Sequence, residues 1–277
     1  MAENSAAMLM APEELSKRLD QPDQLVVDLS EAATHAAGHI PGAVHLDYEA
    51  LLRAEGPVLG LVPDAAALAR TLGAVGINDD VKVIAYDDEG NGRAARLLWM
   101  LAALGHSDHA LLDGGLVAWR QAQLPLVTEL ASPTPVSYHA RFRQPQLIAS
   151  CEQVLAAIDD PGTVILDNRG ADEYRGENVR AARAGHIPGA IHLDWIHAMD
   201  SEGDLRLKPA EQLRTDFEAV GVSADKTVIT HCQTHHRSSL TLFALRYLGY
   251  PDVRGYAGSW AEWGNRDDTP IVNGEGR

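Results

Sequence analysis

Short apolar runs alternate along this chain with longer stretches in which apolar positions recur every three or four residues. Leu25-Val26-Val27-Asp28, Val83-Ile84-Ala85-Tyr86, Val164-Ile165-Leu166-Asp167 and Val228-Ile229-Thr230-His231 are of strand length and apolar on both faces. Runs of that kind predict strands buried in parallel sheet, with the intervening amphipathic stretches as helices on both sides. The expected fold class is therefore α/β. In open sheets of this type ligands bind outside the carboxyl ends of the strands.

The pattern occurs twice. Gly38-His39-Ile40-Pro41-Gly42-Ala43-Val44-His45-Leu46-Asp47-Tyr48 returns as Gly185-His186-Ile187-Pro188-Gly189-Ala190-Ile191-His192-Leu193-Asp194-Trp195. Residues 99–105 match 243–249, and a glycine-to-tryptophan segment closes each copy, at Gly114 to Trp119 and Gly258 to Trp263. A duplication settles the domain count. The expected units are residues 1–127 and 147–277, joined by a linker at 128–146 where Pro133, Pro135 and Pro145 interrupt periodicity. Within that linker, 136–142 alternates apolar and polar residues and is a candidate short edge strand.

One segment concentrates chemistry. His231-Cys232-Gln233-Thr234-His235-His236-Arg237-Ser238-Ser239 follows the last apolar run and reads as strand end, tight loop and helix start near Ser238. Backbone N–H groups in such a loop converge with the helix N-terminus on a point that favours negative charge. A cysteine there is expected as thiolate, its reactive form. An arginine in the first helical turn opposes the helix dipole by about 0.3–1 kcal/mol, so Arg237 is better explained by an anion than by helix stability. The repeat supplies a control. Asp87 occupies the position of Cys232, in an acidic loop one residue longer, Asp87-Asp88-Glu89-Gly90-Asn91-Gly92-Arg93. The first unit keeps the fold and lacks the cysteine, while Arg93 reads as a remnant of Arg237.

Composition narrows the partners. Lys+Arg 23 against Asp+Glu 39 leaves a net charge of −16, which disfavours nucleic acid and anionic membrane. The first ten residues carry one acidic residue where a signal peptide would be basic, and no stretch approaches the roughly 20 apolar residues of a membrane span. Two cysteines, Cys151 and Cys232, exclude a disulfide framework and suit a reducing cytoplasm. The chain is expected to be a cytoplasmic monomer.

The Gly-His-Ile-Pro-Gly-Ala repeats, the Gly258-Ser259-Trp260-Ala261-Glu262-Trp263 closing segment and the Cys-Gln-Thr-His-His-Arg loop together resemble the tandem-domain rhodaneses, thiosulfate sulfurtransferases, over nearly the whole length. The loop resembles that of a bacterial subgroup. The resemblance implies two rhodanese-like domains, the first catalytically inactive, and a persulfide on Cys232 formed from thiosulfate with release of sulfite. The sulfur then passes to cyanide or another thiophilic acceptor such as a dithiol, without any cofactor or metal. Arg237, a fixed charge with a forked donor set, is the expected substrate-binding residue, with His235, His236, Gln233 and Thr234 around it. Sulfite leaves as an anion, so no general acid is needed.

Two features depart from the commonest family pattern. Gln233 and His235 stand where a basic residue and a glycine are usual, and Glu173 stands where vertebrate-type members place an arginine. Arg169, Arg180 and Arg183 are candidates to replace that arginine. Other residues have plainer readings: Cys151 as an inert helix-start residue, His39 and His186 as turn residues, Asp28 and Asp167 as strand-end anchors, Trp119 and Trp263 as packing. Three rival functions fit less well. A 3-mercaptopyruvate sulfurtransferase would usually carry small neutral loop residues. A cysteine phosphatase needs Cys-x5-Arg rather than the Cys-x4-Arg found here. A zinc or copper site at His231, Cys232, His235 and His236 would draw on contiguous residues, unlike most tetrahedral sites.

Overall fold

The computed structural model describes residues 8–274. Strands are β1 Leu9–Met10, β2 Gln24–Asp28, β3 Val44–His45, β4 Arg53–Glu55, β5 Val58–Leu61, β6 Lys82–Tyr86 and β7 His109–Leu112 in the first unit. The second unit has β8 Ile148–Ala149, β9 Thr163–Asp167, β10 Ile191–His192, β11 Thr227–His231 and β12 Val253–Tyr256. Helices are α1 Pro12–Leu15, α2 Ala32–Ala37, α3 Ala65–Ala74, α4 Gly92–Leu104, α5 Gly115–Gln121, α6 Cys151–Ala157, α7 Ala171–Arg175, α8 Ala210–Ala219, α9 Arg237–Tyr247 and α10 Ser259–Trp263.

The two main sheets are all parallel and share one topology, β1-β7-β6-β2-β3 and β10-β9-β11-β12-β8. Each predicted apolar run lies in a main strand, and β6 and β11 are central in their sheets. The loop bearing Cys232 leaves the carboxyl end of β11, where two neighbouring strands flank it. Residues 136–142 form no strand; Val136 N–H instead donates to the Gly73 carbonyl and Tyr138 is buried against the first unit. Its alternation reflects a segment lying with one side on a helix-covered face.

The loop is also held from outside its own unit. Every residue of α4 except Arg93 is buried, as an all-round apolar helix requires. That helix packs against α9, whose residues from Ser238 to Leu245 are buried. Leu97, Leu98, Trp99 and Leu101 thus share one core with Leu240, Phe243, Leu245 and Leu248. Each such side chain contributes roughly 1.5–3 kcal/mol when fully buried. Because α4 and α9 are the helices that follow the two equivalent loops, their packing brings 87–93 and 232–237 together. The antiparallel β4–β5 hairpin reaches the same place from the first unit.

Candidate active site

Cys232 is 1% exposed and begins the loop. Its thiol lies below the ordinary range. Burial alone would push it up, but the Arg237 charge, the Ser238 hydroxyl and the N–H groups of Ser238 and Thr234 outweigh that. The loop carbonyls are all engaged on the outside. Those of Cys232 and Gln233 accept from Trp260 N–H and Ala261 N–H, each at 3.0 Å. Those of Thr234 and His235 accept from Arg96 Nη1 at 3.0 and 3.3 Å, and the His235 carbonyl also accepts from Ser239 Oγ at 2.5 Å. In a trans peptide C=O and N–H point opposite ways, so fixing the carbonyls outward turns the N–H groups of 233–236 inward. The Gly258-to-Trp263 closing segment therefore does more than pack: the first turn of α10 ties the loop down.

Arg237 does face an anion, and that anion is internal. Nη1 and Nη2 donate to the two carboxylate oxygens of Glu173 at 2.6 and 3.0 Å. Burial works against the guanidinium charge, yet Glu173 and Cys232 hold Arg237 above its ordinary value. In the sequence Glu173 stands out only as a departure from pattern, although a buried carboxylate in α7 needs a cationic partner. Of the three arginines proposed to assist, Arg169 is locked onto Asp167 and stacks over Trp260. Arg183 donates to the carbonyls of Trp263 and Thr269. Only Arg180 of the three lies at the site: its Nε is 3.8 Å from Glu173, its side chain is 56% exposed, and its carbonyl accepts from Gln233 Nε2.

The histidines require a correction. His235 is fully buried, with Nδ1 2.7 Å from Ser238 Oγ and its ring edge-on to Trp99 at 4.5 Å between centroids. Burial, then the Arg96 charge, drives it well below the ordinary imidazole value, so it is neutral. Its ring and backbone shape the loop. Its φ of +57° is the left-handed conformation that the missing glycine would have supplied, a backbone state histidine tolerates better than most residues. His236 turns to the first unit: Nε2 lies 2.8 Å from Glu89, and a Cβ on Gly92 would fall 2.7 Å from its ring. His231 lies 3.7 Å from Asp167. The rings of His231, His235 and His236 thus each meet protein groups: Asp167, Ser238 with Trp99, and Glu89. Thr234 packs on Gly60, where a Cβ would come within 2.5 Å of its carbonyl oxygen. Cys151 is buried in a second core and burial raises its thiol.

A family model described as Rhodanese-like domain matches residues 11–122 and 150–266. The chain belongs to the rhodanese family. Among curated rhodanese relatives, the thiosulfate sulfurtransferase of Azotobacter vinelandii is 41% identical over 269 residues, covering 96% of this chain and 97% of that protein. The 3-mercaptopyruvate sulfurtransferase of Escherichia coli K12 is 32% identical over 270 residues, covering 93% and 95%. Among solved structures, the anaerobic ergothioneine biosynthesis enzyme from Chlorobium limicola superposes with a TM-score of 0.87 at 22% identity, covering 98% of this chain and 71% of that one. That likeness carries the rhodanese fold alone. No helix among the described residues is long and apolar enough to cross a membrane.

Proposed function

We propose that this chain is a thiosulfate sulfurtransferase working through a persulfide on Cys232, with residues 147–277 catalytic and 1–127 a non-catalytic partner domain. The observation that carries the reading is a buried, acidified thiol at the centre of a loop whose carbonyls are all tied outward. Relatives 41% and 40% identical to this chain bear the same activity in their names. The Cys232 thiolate attacks the outer sulfur of thiosulfate. A sulfur–sulfur bond forms to Sγ, the bond between that sulfur and the sulfonate breaks, and sulfite leaves with the electron pair. The inward N–H groups then hold the terminal sulfur anion, an arrangement of preorganised donors. Cyanide takes that sulfur as thiocyanate and restores the thiolate. Both steps conserve charge and need no proton.

Glu173 and Asp194 both act on Arg237, yet its charge still lowers the Cys232 thiol and Arg180 adds a second guanidinium beside Glu173, which suits an anionic donor. That Glu173 already occupies the Arg237 fork favours a second reading, 3-mercaptopyruvate, whose single carboxylate brings less charge. Intact mass of the protein after thiosulfate, and again after cyanide, tests the first reading. Gain and then loss of one sulfur atom is expected, absent in Cys232→Ser. If 3-mercaptopyruvate loads the sulfur and thiosulfate does not, the second reading replaces it.

A further inference from the structure

Arg96 lies on α4 of the first unit, is fully buried, and reaches across to the active loop. Its Nη1 donates to the carbonyls of Thr234 and His235, and its Nη2 donates to the Gly60 carbonyl of β5 at 2.6 Å. The guanidinium sits 5.1 Å from the Trp99 ring centroid, in cation–π range. No carboxylate among the described residues pairs with it. The groups that act on its charge are Tyr48 and Cys232, both in the sense that favours the cation, while burial opposes it. Arginine nonetheless stays protonated in proteins. A buried cation without a carboxylate partner is costly, so its retention in the middle of an apolar helix asks for a reason beyond packing.

The second unit's own closing segment holds only the first half of the loop, through the carbonyls of Cys232 and Gln233. The second half, the peptides after Thr234 and His235, includes the left-handed residue His235. Arg96 holds the carbonyls of both peptides and supplies positive charge toward Cys232. We propose that Arg96, from the unit without a catalytic cysteine, is a positioning residue for sulfur transfer: it orients the 235 and 236 N–H groups toward the sulfur and is the thiolate's buried counter-cation across the unit boundary. This rests on the sulfurtransferase reading for its substrate, but not for its effect on the thiolate. The first unit is then half of the active-site scaffold.

The test uses the full-length protein and Arg96→Met, Arg96→Gln and Arg96→Lys, with two readouts. One is the pH dependence of Cys232 alkylation by iodoacetamide in a Cys151→Ala background, which reads the thiolate whatever the physiological donor. The groups acting on the Cys232 thiol are Arg237 and Ser238 on α9, the Thr234 N–H, Arg96 on α4 and Tyr48, with His231 Nδ1 3.4 Å from the Cys232 carbonyl. Only Arg96 is altered. The other readout is thiocyanate formation from thiosulfate and cyanide. In Met and Gln the alkylation midpoint moves to higher pH and kcat/KM falls about 10–100-fold, the factor for losing a hydrogen bond to a charged group. Arg96→Lys brings the midpoint back toward the native value by restoring charge, while kcat/KM recovers only in part because the fork is lost. Should Arg96→Met fail to fold, Gln and Lys still separate charge from geometry. An unmoved alkylation midpoint in folded Gln or Met variants overturns the proposal, even if activity drops. A native protein that is alkylated normally but takes no sulfur from thiosulfate would instead sink the substrate reading and leave the Arg96 result to stand or fall separately.

Discussion

The loops after β6 and β11 are built on one backbone plan, and the first is filled by its own side chain. Asp87 Oδ1 accepts from Glu89 N–H and Asn91 N–H at 3.0 and 2.7 Å, and Oδ2 accepts from Arg93 N–H and Ala94 N–H at 2.9 and 3.1 Å. The carboxylate takes the donors that in the second unit are left for sulfur. Arg93 pairs with Glu31 at 2.5 Å and Glu89 at 3.0 Å, as Arg237 pairs with Glu173. The nest is thus retained in both units. What separates them is whether an internal carboxyl group plugs it, and an exchangeable sulfur cannot occupy a site already closed by a covalently attached side chain. The first unit's loop instead braces the second, since Glu89 and Gly92 meet His236 beside the Arg96 contact.

The largest effect expected from this comparison is an asymmetric one. Cys232→Ser should abolish thiocyanate formation, and adding Asp87→Cys to that variant should not restore it. The longer acidic loop and the neutralised Arg93 offer no anion site. Measured turnover by the Asp87→Cys, Cys232→Ser double variant would show that the cysteine alone separates the units.

Arg237→Ala is next. Losing its charged hydrogen bonds should cost about 1.5–3 kcal/mol, or about 10–100-fold in kcat/KM for thiosulfate. It also strips a cation from a thiol whose value is held below the ordinary range. The sign follows: the native rate rises with pH through a lowered thiolate value, and in the variant that rising limb moves to higher pH. Arg93→Ala, the matching change in the first unit, should leave the pH profile in place. Parallel pH–rate curves for the three proteins decide it, and coincident curves for Arg237→Ala and the native chain would remove Arg237 from the site.

The smallest effect concerns the plug itself. Asp87→Ala leaves buried N–H donors unpaired, each costing about 1–3 kcal/mol unless water enters. Denaturant unfolding should show a loss of at least about 1 kcal/mol, with sulfur loading of Cys232 still complete by mass. Full stability in Asp87→Ala would mean the carboxylate does not close the nest.

Much of this is legible in one dimension. The duplicated Gly-His-Ile-Pro-Gly segments, the four apolar runs and the polar loop at Cys232 are local patterns. Strand burial and loop placement follow from them, because periodicity and turn chemistry act over a few residues. The same holds for the missing glycine at His235, which is visible as a substitution and appears as a left-handed backbone. His235 suggests charge by its identity in the sequence, whereas its ionisation depends on burial that only the fold sets.

Sequence by itself determined that there are two α/β units, that only one has a cysteine at a strand end, and that an arginine follows in the next helical turn. Tertiary structure alone decided where the charges go. Arg237 finds Glu173 across 64 positions of chain, and Arg96 reaches the Thr234 carbonyl across 138. Charge pairing depends on which surfaces helices α4 and α9 bring together, and on how much water they exclude. Neither quantity is written in the spacing of residues along one unit, since part of the loop's support comes from the other copy of the repeat.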